Sequence, residues 1–251
     1  ALQAGDIDLI GVALLPEQFQ QVQANPALKG TQGSATAEIT LALNNAVEPW
    51  NDKDMRWVLN YVMDRPQIID VAYEGTSVMG PYIWPAYPAM QPYTDLVPEE
   101  VLAQFYEPNL AKAEEILLAK GYTKTGDYWT KDGNELGLEI EVHEAFSELE
   151  KIADVYVEQL QRFGINGVKV KLTGQTWGDN FSYGQYAAQS GWQTCGSLIE
   201  PYTTLRTLAG DAAPIGERPT VACVPRRSEP AKKPARSGKR ARGGGGVFLA
   251  R

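Results

Sequence analysis

The hydrophobic period of this chain switches twice between residues 136 and 174, and the switch limits the architectures open to it. Leu136, Leu138, Ile140 and Val142 alternate with polar residues, as a strand with one covered face does. SELEKIADVYVEQLQRFG (147–164) follows, with Ile152, Val155, Gln159 and Phe163 on one side. Its Ser147-x-x-Glu150 pattern predicts a capping box and Gly164 a stop. GVKVKLTG (167–174) then returns to the strand period. Each element has one apolar face that another must cover, so strand, helix and strand in succession predict an α/β layer structure.

The flanking segments extend this pattern. DIDLI (6–10) and ITLALNN (39–45) read as strands, with PEQFQQVQANPALKG between them as a short helix and a loop. In residues 52–74, Met55, Val58, Leu59, Val62 and Met63 form one helical face, which Pro66 breaks or restarts before Gly75. MGPYIWPAYPAMQPYTDLVP (79–98) holds five prolines and is expected to be an extended surface or cleft-lining loop. NLAKAEEILLAK (109–120) predicts a helix between an Asn109 cap and Gly121, and Asp132-Gly133 predicts a turn.

With 251 residues, 43% of them apolar and 22% charged, the chain can bury a real core. Its apolar runs fall far short of the roughly 20 residues that span a bilayer. It opens on ALQAGDIDLI, with neither an initiator Met nor a secretory signal pattern, so the natural N-terminus is expected to lie elsewhere. Two cysteines, Cys195 and Cys223, and one histidine, His143, support neither a disulfide framework nor a histidine-based metal centre. No metal or cofactor is expected.

The net charge of -8 joins two unlike regions. From Thr220 onward nine Lys or Arg face one acid, Glu229; before it, 14 face 30. An acidic body repels phosphates, so no nucleic-acid binding is expected of residues 1–218. Residues 219–251 have no apolar period and are rich in Pro, Gly, Lys and Arg, which predicts disorder. KKPARSGKRAR suits a nucleic-acid or membrane-surface arm, whereas the joint loss of pattern, charge sign and period suits a frame-shifted read of a GC-rich gene, the preferred reading.

Several segments together resemble the dipeptide- and oligopeptide-binding family, family 5, of extracytoplasmic solute-binding proteins. EPWNDKDMRWVLNYVMDRPQIIDVAYEG (48–75) resembles its aromatic, Asp, hydrophobic-Arg, helix, Asp-Arg pattern through Trp50, Asp52, Met55-Arg56 and Asp64-Arg65. NLAKAEEILLAKGY, DYWTKDGNELGLEI and KIADVYVEQLQRFGINGVKVKL are similar to the units that follow in that family, in the same order. GWQTCGSLIEPYTTL (191–205) is similar to the segment on which members lay their ligand. The resemblance implies a periplasmic-binding-protein-like fold of type II. It implies that residues 1–218 are a partial solute-binding domain, mostly the second lobe of a two-lobe cleft protein plus its approach to the hinge, and that the chain is a fragment. It implies a periplasmic or extracytoplasmic monomer, not an enzyme, that delivers a peptide-like or oligosaccharide-like ligand to the permease and ATPase subunits of an ABC importer.

The candidate ligand-binding residues are Gly191, Trp192, Cys195, Glu200, Pro201 and Tyr202, with Trp84 and Trp177 as weaker ones; none is assigned a catalytic role. Gly191 lets backbone come close, and Trp192 offers a rigid surface with an indole donor. A core Trp at a strand end is the alternative, and the resemblance favours the ligand shelf. Members that clamp an α-amino group carry an Asp between the Trp and the acid-proline step, but QTCGSLI contains no acid. An ammonium buried without a carboxylate is strongly disfavoured. Either Glu200 takes that role, or the ligand is a sugar or another polar solute. A hydrolase using Cys195 with His143 is the alternative among enzymes, and a nucleic-acid-interacting protein acting through the tail is the other. Glu99-Glu100, Glu114-Glu115 and Glu139 with Glu141 read as solvated faces, and Asp64-Arg65 and Asp52 with Arg56 as ion pairs and caps.

Overall fold

In the computed structural model, residues 2–9, 14, 16–30, 39–80, 87–192, 200–202 and 205 are described. A 3₁₀ turn (Leu2–Ala4) and α1 (Pro16–Ala24) precede β1 (Ile39–Leu43), α2 (Lys53–Val62) and α3 (Arg65–Tyr73). A second 3₁₀ turn (Pro88–Met90) runs into α4 (Gln91–Thr94), α5 (Glu99–Tyr106) and α6 (Leu110–Ala119). A small antiparallel meander follows, made of β2 (Thr123–Thr125), β3 (Tyr128–Lys131) and β4 (Asn134–Glu135). The chain continues through β5 (Gly137–His143), α7 (Ser147–Phe163), β6 (Asn166–Leu172), α8 (Gly174–Tyr183) and β7 (Ala188–Trp192).

The main sheet has the order β1-β7-β5-β6. β5 is parallel to both β6 and β7, and β1 closes the far edge antiparallel to β7, with Ile39 opposite Trp192. The crossover that leaves β5 runs to its neighbour β6, and the one that leaves β6 runs back past β5 to β7. α7 covers one face. On that side Leu138, Ile140, Val142 and Ala188 are buried, and Lys169 and Lys171 of β6 reach Asp154 and Glu150 of α7. α8 lies on the other, with Asn180 bonded to Glu141 of β5. Asn44, fully buried just after β1, donates to the carbonyls of Gly184 and Tyr186 and so fixes that end of the sheet to the chain entering β7.

The core continues beneath α7, where α2 presents Met55, Val58, Leu59 and Val62 as its period predicts. Asp52 caps α2 by accepting from Asp54 N, and Asp64 caps α3 by accepting from Gln67 N. Pro66 sits in the first turn of α3, where a missing N–H costs nothing, so it restarts the helix. Gln159, in the buried face of α7, bonds both the N–H and the carbonyl of Asp64 and satisfies the break between α2 and α3. Gly164 ends α7 at φ 107°, and a Cβ there would meet Lys124 Cε at 2.9 Å and the Asp127 carbonyl at 3.0 Å. Only glycine lets the meander seat itself there, with Trp129 N donating to the Gly164 carbonyl.

Four expectations are corrected. Residues 6–9 of DIDLI form bends and irregular backbone rather than strand, since no neighbouring strand pairs with them among the described residues. α7 begins at Ser147 itself, so Ser147 lies inside the helix; the cap position falls to Phe146, which makes no side-chain cap bond. The partner of Asp52 is Lys120, because the Arg56 guanidinium donates to the Trp50 and Asn51 carbonyls. The described part of the proline-rich stretch coils from Pro88 to Thr94 and buries Met90 and Thr94, as Pro88 and Pro92 fall in first turns where proline is tolerated. Residues 81–86 and the tail (219–251) lie outside the described residues.

Candidate functional site

β5, β6 and β7 run the same way, so their carboxyl ends share one edge of the sheet, where the chain enters α7 and α8. Open α/β sheets offer a crevice at that edge where successive crossovers diverge, because the strands separate the loops there and helix N-termini converge. Here the neighbouring strands β5 and β6 send their chains to opposite faces, β5 into α7 and β6 into α8.

Four aromatic rings meet at this edge. Phe146, which follows β5, stands edge-on to Trp192 at the end of β7, with centroids 4.8 Å apart and an interplanar angle of 84°. His143 lies 4.6 Å from the Phe146 ring and 5.6 Å from Trp177 in the first turns of α8. Edge-to-face pairs of this kind are worth roughly 0.5–1.5 kcal/mol beyond area burial. Phe146 remains 40% exposed and Trp192 partly exposed, so the cluster offers aromatic surface to solvent. Gly174 leaves room for the imidazole: a Cβ there would sit 2.5 Å from His143 Nε2, so a larger residue would require the ring to move.

Beneath the rings lies a buried polar network. Asn180 Nδ2 donates to Glu141 Oε1 at 2.7 Å, and Gln189 Nε2 donates to Glu141 Oε2 at 3.0 Å and to the Trp177 carbonyl at 2.9 Å. Glu141 is 5% exposed and Gln189 fully buried. Burial pushes the Glu141 carboxyl above the usual carboxylate range; the two donated hydrogen bonds oppose that rise and the neighbouring Glu139 adds to it. The expectation that Glu141 is solvated is thereby corrected. Its strand alternation points it away from the apolar core, but α8 covers that face too. The indole N–H of Trp177 and Gln189 Oε1 are buried without a partner among the described residues.

Of the candidate residues, Gly191, Trp192 and Trp177 gather at this edge. Glu200, Pro201 and Tyr202 form a local turn in which Glu200 Oε2 accepts from Tyr202 N and the Pro201 carbonyl from Leu205 N. Cys195 and Trp84 lie outside the described residues. His143 Nδ1 accepts from Ala145 N, and the Cys195 thiol considered as its partner lies outside the described residues. Nor, among them, is any group of three or more His, Cys, Asp or Glu arranged to hold a metal ion. Phe146, Gly174 and the amides of Asn180 and Gln189 were not singled out from the sequence. The period-two run Glu139, Glu141, His143 was a signal for part of this face, but only the position of α8 gives it meaning.

Comparison with known proteins agrees with this architecture. Residues 1–213 match the model of a family described as bacterial extracellular solute-binding proteins, family 5 Middle. The nickel-binding periplasmic protein of Escherichia coli is 28% identical over 180 residues, 70% of this chain and 32% of the relative. The oligopeptide-binding protein AppA of Bacillus subtilis is 27% identical over 173 residues, 68% of this chain and 30% of AppA. The chain thus spans about a third of the length of these relatives. The structure of AppA with a nonapeptide superposes with a TM-score of 0.63 at 21% identity, covering 76% of this chain and 37% of that one. The mannohexaose-bound periplasmic oligopeptide-binding protein of Thermotoga maritima gives 0.59 at 17% identity, covering 68% and 32%. These likenesses establish the fold, that of a type II periplasmic binding protein.

Proposed function

This chain belongs to the bacterial extracellular solute-binding proteins of family 5, and we propose that it forms one wall of the ligand cleft in the substrate-binding component of an ATP-driven importer. Residues 1–218 constitute the partial solute-binding domain in this reading. The whole protein works outside the cytoplasm as a monomer, performs no chemistry on its ligand and hands it to permease and ATPase subunits. The observation that carries the reading is the convergence of Trp192, Phe146, His143 and Trp177 on the carboxyl edge of the sheet. Aromatic faces suit peptide backbones and sugar rings alike, since both present flat or C–H-rich surfaces flanked by hydrogen-bonding groups. Gly191 adds close backbone approach, and Cys195, Glu200, Pro201, Tyr202 and Trp84 are the further ligand-contact candidates in this reading.

The absence of an acid in QTCGSLI supports ligands without a free α-amino group: a buried ammonium lacking a carboxylate would forfeit several kcal/mol. Calorimetric titration of the full-length gene product with a free-amine oligopeptide, its N-acetylated form and a mannooligosaccharide tests this. The expected ranking puts one of the last two first. Trp192→Ala is expected to weaken the best of them tenfold or more, with the melting temperature little changed. Unaltered affinity in that variant would remove the proposed shelf.

A further inference from the structure

The Glu141 network joins the two elements that carry the tryptophans. One carboxylate oxygen accepts from Asn180 of α8, three residues beyond Trp177; the other accepts from Gln189 of β7, three residues before Trp192. Gln189 also holds the Trp177 carbonyl. We propose that Glu141 is a positioning residue for the aromatic edge, its carboxylate tying α8 to β7 and so holding Trp177 in place relative to Trp192.

The chemistry of the donors supports this role. Both partners are amide NH2 groups that can only donate, and an ionised carboxylate is the side chain that can only accept. Protonation turns one oxygen into a donor aimed at a donor and loosens the bridge. No cation shares the site among the described residues. On its own strand, the groups on the same face as Glu141 are Glu139 and His143; β6 contributes Val168 and Val170, and β7 contributes Gln189. α8 brings Asn180 and the Trp177 carbonyl, and its Asp179 is engaged with Gln175.

Two effects of pH then run in opposite directions. Because burial raises the folded-state pKa, the group's contribution to stability is largest below the ordinary carboxylate value and is lost as pH rises through the raised one. The bridge, by contrast, is complete above that value and loosens below it. A carboxylate whose only role was to stabilise the fold would move both readouts together.

The inference takes its functional meaning from the reading of this edge as a ligand wall. Its test uses no ligand, so the failure of either leaves the other standing. The 251-residue chain is followed by near-ultraviolet circular dichroism and by melting temperature from neutral pH down into the carboxylate range. The expected result is a tryptophan transition centred above the ordinary carboxylate range. Trp177→Phe and Glu141→Gln should lose most of its amplitude, His143→Gln should retain it, and Glu141→Gln should melt above wild type at neutral pH. Glu141→Asp, which keeps the charge but not the reach, should titrate with a smaller amplitude, and it stands in if the amide variant does not fold. A transition identical in wild type and either Glu141 variant, or one lost in His143→Gln and kept in Glu141→Gln, overturns the proposal.

Discussion

The two faces of the main sheet are both covered by helix, yet they are built from different chemistry. Against α7 the strands present Leu138, Ile140, Val142 and Ala188, an apolar layer that joins the core under α2 and α3. Against α8 they present Glu141 and Gln189, whose polar atoms reach Asn180 and the Trp177 carbonyl. Strands buried on both faces are ordinarily apolar throughout, because a buried polar group must be given a partner. The α7 face supplies stability without direction, whereas the α8 face uses directional bonds to fix where two indole rings lie. Hydrophobic burial resists loss of area but tolerates sliding; a hydrogen-bonded carboxylate specifies one geometry.

Substitutions on each face sharpen this contrast. Leu160→Ala, in the buried face of α7, should lower unfolding free energy by about 2–5 kcal/mol in urea while leaving the near-ultraviolet tryptophan signal of the folded state unchanged. Asn180→Ala should cost less, about 1–3 kcal/mol, by leaving Glu141 Oε1 without its donor. It should also move the acid transition of the aromatic edge to higher pH, since the lost hydrogen bond favoured the ionised form. If Leu160→Ala altered the edge and Asn180→Ala did not, the division of labour between the faces would be wrong.

The smallest effect is expected far from both faces. Lys120 bridges Asp52 and Asp54 at the surface, where hydration and salt screen the charges. Lys120→Met should lower the melting temperature by less than either substitution above. The hydrogen bond from Lys120 holds Asp52 below its ordinary value, so this bridge contributes above that value and fades as pH falls through the depressed one. The acid limb of the wild-type melting profile should therefore flatten in the variant. It should flatten in high salt as well.

Much of the fold was legible because its signals are local. The caps at Asp52, Asp64 and Asn109, the stop at Gly164 and the strand period from Leu136 to Val142 act within a few residues and appear where expected. DIDLI shows the weakness of the same reasoning, since alternation makes a strand only where another strand receives it. Ser147 misled for a related reason, in that the pattern was present but the helix began on it rather than after it. Trp192 was identified through its Gly and its resemblance to a ligand segment, and Trp177 was placed beside it only weakly.

Glu141 marks the boundary between the two kinds of information. Local order determined that β5 would alternate, that Glu139, Glu141 and His143 would share a face, and that a helix would follow β5. Nothing local states which side of β5 receives β7. That insertion, next to β5 and away from β6, carries α8 across the polar face, buries one glutamate of the pair and leaves the other exposed, and brings Trp177, Trp192, Phe146 and His143 to one edge. Propensity, capping and period act over a few residues of chain, whereas strand order depends on which distant faces can be covered together, a property of the packed molecule.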